Sequence, residues 1–320
     1  MSQSDLLKIA IAQIAPEWLH REATLQKVVH CVKEAAGSGA GLVVFGEALV
    51  PGYPFWVEKT DGAVFESAIQ QEIFAHYVNE AVCIEHGDLD SLCATASECK
   101  IAIYLGVIEQ PRDRGRSLYC TLVYIDQQGI IQSAHRKVMP TYEERLVWAM
   151  GDGNGLVTHS LAPFTVGGLN CWENWLPLAR ATLYAQGEDL HVSVWPGNDR
   201  NTRDLIPMIA RESRSYVVAA CGLFTDKDIT DDLPQSHLMK DQMSGTLANG
   251  GSCVAAPDGS WLLEPVIDQE GIFYVEIDHQ KVRAARLSLD VSGHYSRPDI
   301  FQLEVNQQRA SILKKPQKNP

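Results

Sequence analysis

Apolar residues gather into short runs separated by polar turns rather than into one continuous periodic pattern. Runs at 7–14, 41–45, 101–108, 118–125, 166–170, 191–195, 216–221 and 272–277 have the length and the aliphatic, β-branched content of buried strands. Between several of them, apolar positions recur at helical spacing, over 22–36, 65–82, 89–98, 177–186 and 202–215. Strands mixed with helices in this way predict an α/β or α+β sandwich. No Pro/Gly/Ser-rich linker divides the pattern and no internal repeat is visible, so a single domain over 1–305 is expected. Residues 306–320 are polar and end KKPQKNP, the pattern of a mobile tail or of an arm that orders only against a partner.

Composition narrows the function classes. A chain of 320 residues, 45% hydrophobic and 21% charged, is long enough to bury an extensive core. No run is apolar enough to span a bilayer, which points away from a membrane protein. The start, MSQSDLLKIAIAQIAP, has neither a basic leading region nor a small-residue cleavage site, so a cytoplasmic location is expected. A formal charge of -13 disfavours nucleic acid as a partner and suits a small, uncharged substrate. The eight cysteines include no CxxC pair and read as reduced thiols, and no HExxH or paired His/Cys spacing nominates a metal site. GDGNG at 151–155 lacks the Lys-Ser/Thr of a phosphate loop and reads as a turn.

Three segments carry candidate chemistry. Cys171, in GGLNCWENWLPLAR, follows an apolar run and precedes a helix whose first turn holds Pro177. A thiol on such a strand-end turn stands near helix-terminal N–H groups that favour thiolate and anionic intermediates. Most buried cysteines are small hydrophobes; Cys171 differs in being followed by Trp172, Glu173 and Asn174 where a buried strand would continue with aliphatics. Glu47 ends the run in GLVVFGEALVPGYP, and Pro51, Gly52, Tyr53 and Pro54 beyond it suggest a fixed loop with an aromatic wall. A carboxylate there serves as general base if burial raises its pKa; otherwise it is a solvated strand exit. Lys137 lies in SAHRKVMPTYEERLVW with Glu143 and Glu144 close behind, either as a surface ion-pair cluster or as a cation held in a dry pocket to stabilise developing negative charge.

Together these segments resemble the nitrilase superfamily, in the order FGEALVPGYP, HRKVMPTYEERLVW and NCWENWLPLAR, and their wording is closest to the nitrilase branch. KIAIAQIAP, HVSVWPG at 191–197 and ARESRSYVVAACG at 210–222 extend the likeness over roughly residues 5–290. One departure is Gly46, where many members carry proline; it is expected to loosen the strand end that bears Glu47. The resemblance implies a four-layer α-β-β-α sandwich whose subunits pair through helical layers into a homodimer or higher oligomer. It further implies Glu47 as general base, Lys137 as charge-stabilising group, Cys171 as nucleophile and Glu144 as the second, orienting glutamate, although spacing alone chooses equally between Glu143 and Glu144. The implied substrate is a small-molecule nitrile, with an amidase or carbamoyl hydrolase using the same Glu-Lys-Cys site the nearest alternative and a non-catalytic binding or scaffold protein the alternative of another class, and no cofactor is implied. Tyr53, Trp56, Trp172 and Trp195 are expected to supply substrate walls, Tyr53 and Trp172 foremost because they adjoin the proposed catalytic residues, with ordinary core packing the competing role for Trp56 and Trp195.

Overall fold

The computed structural model describes residues 5–313. Its strands are β1 (Leu6–Gln13), β2 (Leu42–Phe45), β3 (Ala102–Glu109), β4 (Tyr119–Ile125), β5 (Ile131–Arg136), β6 (His159–Leu161), β7 (Phe164–Asn170), β8 (Leu190–Trp195), β9 (Tyr216–Cys221), β10 (Leu223–Thr225), β11 (Thr246–Ala255), β12 (Trp261–Ile267) and β13 (Gly271–Asp278). Its helices are α1 (Arg21–Gly37), α2 (Trp56–Lys59), α3 (Ala68–Asn79), α4 (Asp90–Cys99), α5 (Pro177–Tyr184), α6 (Leu205–Ser213), α7 (Ser236–Gln242) and α8 (His279–Ala285). One sheet has the order β13-β1-β2-β3-β4-β5; the other runs β10-β11-β9-β8-β7-β6, with β12 on β11. Each is built on three parallel strands, β1-β2-β3 and β7-β8-β9, extended by antiparallel neighbours.

Strand alternation makes the layers. On β1, Leu7, Ile9 and Ile11 face the second sheet, where they meet residues such as Val192, Val194 and Val218, while Ala10 and Ala12 face the opposite way onto α1 and α4. The small residues let Val28, Val32 and Ala35 of α1 approach closely. On the outer face of the second sheet, Val217, Ala219, Cys221 and Cys253 pack on Leu205, Ile206 and Ile209 of α6, and Leu169 packs on Ala179 and Leu183 of α5. The order is therefore helix, sheet, sheet, helix, the four-layer sandwich expected. Among the described residues no helix is long and apolar enough to cross a membrane.

Differences from the expected elements have local causes. The helix expected over 65–82 begins only at Ala68, because Glu66 adopts a φ of 56° and the Ser67 side chain caps the first turn by accepting from Gln70 N–H. β5, β6, β10, β11 and β12 were not expected. β11 hides behind Asn249, Gly250 and Gly251, whose two glycines take positive φ and shift its pairing register. The expected tail is partly fastened: Gln307 Nε2 donates to Leu156 O at 2.7 Å, Arg309 donates to Ala134 O at 2.7 Å and pairs with Asp152 at 3.1 Å. The rest of that tail, 314–320, lies outside the described residues.

Candidate active site

Strand ends of both sheets meet at one cavity of about 550 Å³, lined by residues that include Tyr53, Phe55, Glu143, Glu144, Cys171, Trp172 and Trp175. Glu47 follows β2, and its N–H donates to the carbonyl of Trp195 on the opposite sheet at 3.1 Å. A side chain at Gly46 would stand 2.9 Å from Gly222 N and 3.1 Å from Trp195 O, so glycine here lets the two backbones meet. The strand end is thus held across the sandwich rather than loosened. Lys137 follows β5 and is fixed by donation of its N–H to Cys120 O at 2.7 Å. Cys171 follows β7 with a left-handed φ of 46° and starts a 3₁₀ turn, Cys171–Trp175. A non-glycine residue in that region costs on the order of 1–2 kcal/mol, which the surrounding contacts must overcome.

The four charged or nucleophilic residues converge with almost no exposure. Lys137 Nζ lies 2.8 Å from Glu47 Oε1 and 2.8 Å from Glu144 Oε2. One carboxylate oxygen of each glutamate and Cys171 Sγ fall within 4.8 Å of one another. Such a donor set could hold a metal ion, but the Lys137 ammonium already sits against both carboxylates. Glu144 rather than Glu143 is the buried partner: it also accepts from Thr141 N–H at 2.6 Å and from the Tyr53 hydroxyl at 2.8 Å. Glu143 is half-buried on the cavity wall.

Burial, reinforced by the Glu144 charge and opposed by Lys137, pushes Glu47 up to about 7. Burial and the Glu47 carboxylate push the Cys171 thiol well above its usual value, with Lys137 and the Trp172 N–H acting in the opposite sense. Burial alone would neutralise Lys137, but Glu47, Cys171 and Glu144 hold it protonated. Glu47 Oε1 receives Lys137 and the Cys120 thiol at 3.4 Å, whereas Oε2 is buried with no hydrogen-bond partner among the described residues. A buried carboxylate oxygen left unpaired beside a thiol is an arrangement that accepts a proton.

Tyr53 and Trp172 line the cavity; Trp172 is 51% exposed. Trp195 does not. Its indole is fully buried beneath α6 and donates to Ser193 Oγ at 2.8 Å, and what it offers the site is its backbone carbonyl. Trp56 is likewise a core residue. Sequence reasoning missed Glu173 and His135, which brace the site from behind. The Glu173 carboxylate accepts from Asn170 N–H at 3.0 Å and Val138 N–H at 2.5 Å and meets His135 Nε2 at 3.0 Å, joining the Cys171 turn to the Lys137 loop. Burial opposes its ionisation, and His135 with the two N–H groups outweighs it, holding the carboxyl below the usual range. The signal available was a capping pattern, Asn170 with Glu173 three residues on.

The carbon-nitrogen hydrolase family model matches residues 8–287. An aliphatic nitrilase of Sinorhizobium fredii is 34% identical over 306 residues, covering 96% of this chain and 97% of that protein. An arylacetonitrilase of Fusarium vanettenii is 33% identical over 341 aligned positions, covering 98% and 96%. Among solved structures, a carbon-nitrogen hydrolase from Helicobacter pylori superposes with a TM-score of 0.69 at 17% identity, over 92% of this chain and 97% of that one.

Proposed function

Because the chain belongs to the carbon-nitrogen hydrolase family, we propose that it is a nitrilase, converting an organic nitrile and two waters into a carboxylic acid and ammonia. The observation that carries this reading is the buried convergence of Cys171 Sγ with the Glu47 and Glu144 carboxylates around Lys137, at the base of a cavity. The nitrilase names of relatives that align along almost the whole chain favour a nitrile over an amide.

Glu47 Oε2 takes the thiol proton as Cys171 Sγ attacks the nitrile carbon; the nitrile nitrogen takes up that proton, leaving a thioimidate. Water adds with Glu47 as base. The resulting tetrahedral species is stabilised by Lys137 and by the Trp172 N–H, and the C–N bond breaks to release ammonia. A second water attacks the remaining thioester, again through Glu47, and frees the acid and the thiol. Glu144 keeps Lys137 in place, and Tyr53 and Trp172 wall the substituent. No step requires a cofactor.

Two copies pair through the helical layer of α5 and α6. Beside the site, Trp175, Leu176 and Leu178 are exposed, Leu178 to 70%, an apolar surface adequate for a partner. The cytoplasm, which keeps thiols reduced, suits a protein whose eight cysteines are all free. Ammonia release from aryl, arylacetyl and aliphatic nitriles and their matching amides tests the activity, with Cys171→Ala as control. Release from nitriles that the variant loses supports the reading; release chiefly from amides makes the protein an amidase, and none from either removes it. Sedimentation of the wild type against Leu178→Asp tests the pairing.

A further inference from the structure

Behind the nucleophile lies a chain of three fully buried side chains that the mechanism does not use. Glu188 precedes β8, His191 lies on it and Asn174 sits in the 3₁₀ turn that Cys171 begins. His191 Nδ1 is 2.9 Å from Glu188 Oε1, and Nε2 is 2.8 Å from Asn174 Oδ1. Asn174 Nδ2 donates to Cys171 O at 2.8 Å and to Leu169 O at 3.3 Å, and the Asn174 backbone carbonyl accepts from Arg180 at 2.6 Å.

Hydrogen-bond inventory fixes the orientation of every group. Turning the Asn174 amide over would set its oxygen against two carbonyls, so Nδ2 faces them and Oδ1 faces the ring. Oδ1 only accepts, so His191 Nε2 carries a proton. Nδ1 then faces a carboxyl oxygen, and one proton lies between ring and carboxyl.

The chain ends on the carbonyl of Cys171, and that carbonyl shares a planar trans peptide with the N–H of Trp172. Pinning the carbonyl on one side directs the N–H to the other, toward the cavity side, where it acts on the Cys171 sulfur. We propose that Glu188, His191 and Asn174 are positioning residues that aim the Trp172 N–H at the oxyanion. The proposal rests on Cys171 being the nucleophile. Because φ of Cys171 is left-handed, this peptide follows a strained residue, and the Asn174 side-chain bond adds to the hold that the 3₁₀ turn itself places on the carbonyl; without it the N–H is aimed less firmly.

The test separates oxyanion stabilisation from nucleophile reactivity. Benzaldehyde and butyraldehyde add reversibly to a thiol: the C–S bond forms, the carbonyl π pair moves to oxygen, and the thiol proton passes to Glu47, so the adduct carries an oxyanion. Their affinity is read by protection of Cys171 from iodoacetamide, located by peptide mass spectrometry. Alkylation itself creates no oxyanion. Asn174→Ala should weaken aldehyde binding about 10–100-fold, at or below the loss seen when an oxyanion donor is deleted, and slow alkylation, which feels the N–H only through the sulfur, by a much smaller factor, about fivefold at most. His191→Leu should move aldehyde binding the same way, and His191→Gln, which keeps an N–H for Asn174 Oδ1, should recover most of it. If Asn174→Ala does not fold, the two His191 variants decide. Unchanged aldehyde affinity in folded variants, or alkylation and aldehyde binding falling in step, overturns the proposal. A wild type that labels at Cys171 and binds aldehyde but hydrolyses no nitrile refutes the nitrilase reading alone.

Discussion

Replacing Glu144 by glutamine removes one of two carboxylates that share a single lysine, and the response of Glu47 follows from the distances. Glu144 and Glu47 offer oxygens within 4.8 Å of each other. At an effective dielectric constant near 20, two negative charges at that separation repel by about 3.5 kcal/mol, roughly 2.5 pH units. Lys137, at 2.8 Å, attracts Glu47 by about 6 kcal/mol on the same basis, so the ammonium is the stronger influence and survives the substitution. The sign is clear. Glu47 stands at about 7 with both carboxylates present, and Glu144→Gln lowers it toward the ordinary carboxylate range. The base acts when ionised, so wild-type kcat/KM falls as pH drops through 7; at pH 6 it is about a tenth of its value at pH 8. In Glu144→Gln that ratio rises toward one, even though absolute turnover falls because Lys137 loses a partner. Taking the ratio cancels the loss in absolute turnover. Initial rates of ammonia release at low nitrile concentration, from pH 5 to 9, supply the measurement. A variant whose acid limb stays at 7 or moves higher refutes the electrostatic account of the triad.

The remaining predictions rest on other contacts. Cys171→Ala abolishes ammonia release, whereas Cys31→Ala and Cys253→Ala keep it, their thiols being packed in helix–sheet layers away from the cavity. Tyr53→Phe strips a hydroxyl from the buried Glu144 Oε1 and costs about 1–3 kcal/mol of site organisation, seen as a fall in kcat of about tenfold or more with the folded state retained in thermal scans. Gly106→Ala places a methyl against the Gly46 carbonyl and 2.7 Å from Glu47 Cα; Tm and activity both drop, and an unchanged kcat would show that β2 and β3 have room the structure denies.

Strand ends were legible because buried parallel strands are short, continuous and aliphatic, as at Leu42–Phe45 and Tyr216–Cys221. That legibility reached the candidate site, since Glu47 and Cys171 are the first polar or reactive residues after such runs. It failed where side-chain chemistry departs from period and propensity. β5 reads IQSAHR because its half-buried residues alternate poorly, and β12, WLLEPVI, contains a proline. Glu144 could not be told from Glu143 by spacing, because a 3₁₀ turn set by the Thr141 capping box decides which one turns inward. Trp195 was misplaced for a related reason: adjacency to a strand end does not reveal whether an indole turns to the cavity or beneath α6. The His191 relay joins residues from separate segments, and a histidine inside an apolar strand carries no mark of its partners.

Glu47 and Lys137 hang from one sheet and Cys171 from the other, with the Glu47 N–H to Trp195 carbonyl bond spanning the seam. Activity is therefore a gauge of how the sheets are aligned. A slip of about 1 Å between them leaves both hydrogen-bonded ladders intact, yet is enough to cost on the order of a hundredfold in rate. On heating, catalysis should fade while circular dichroism still reports a full complement of strands. Gains in working lifetime would then come from substitutions that tighten the layer between the sheets, more than from those that strengthen either sheet within itself.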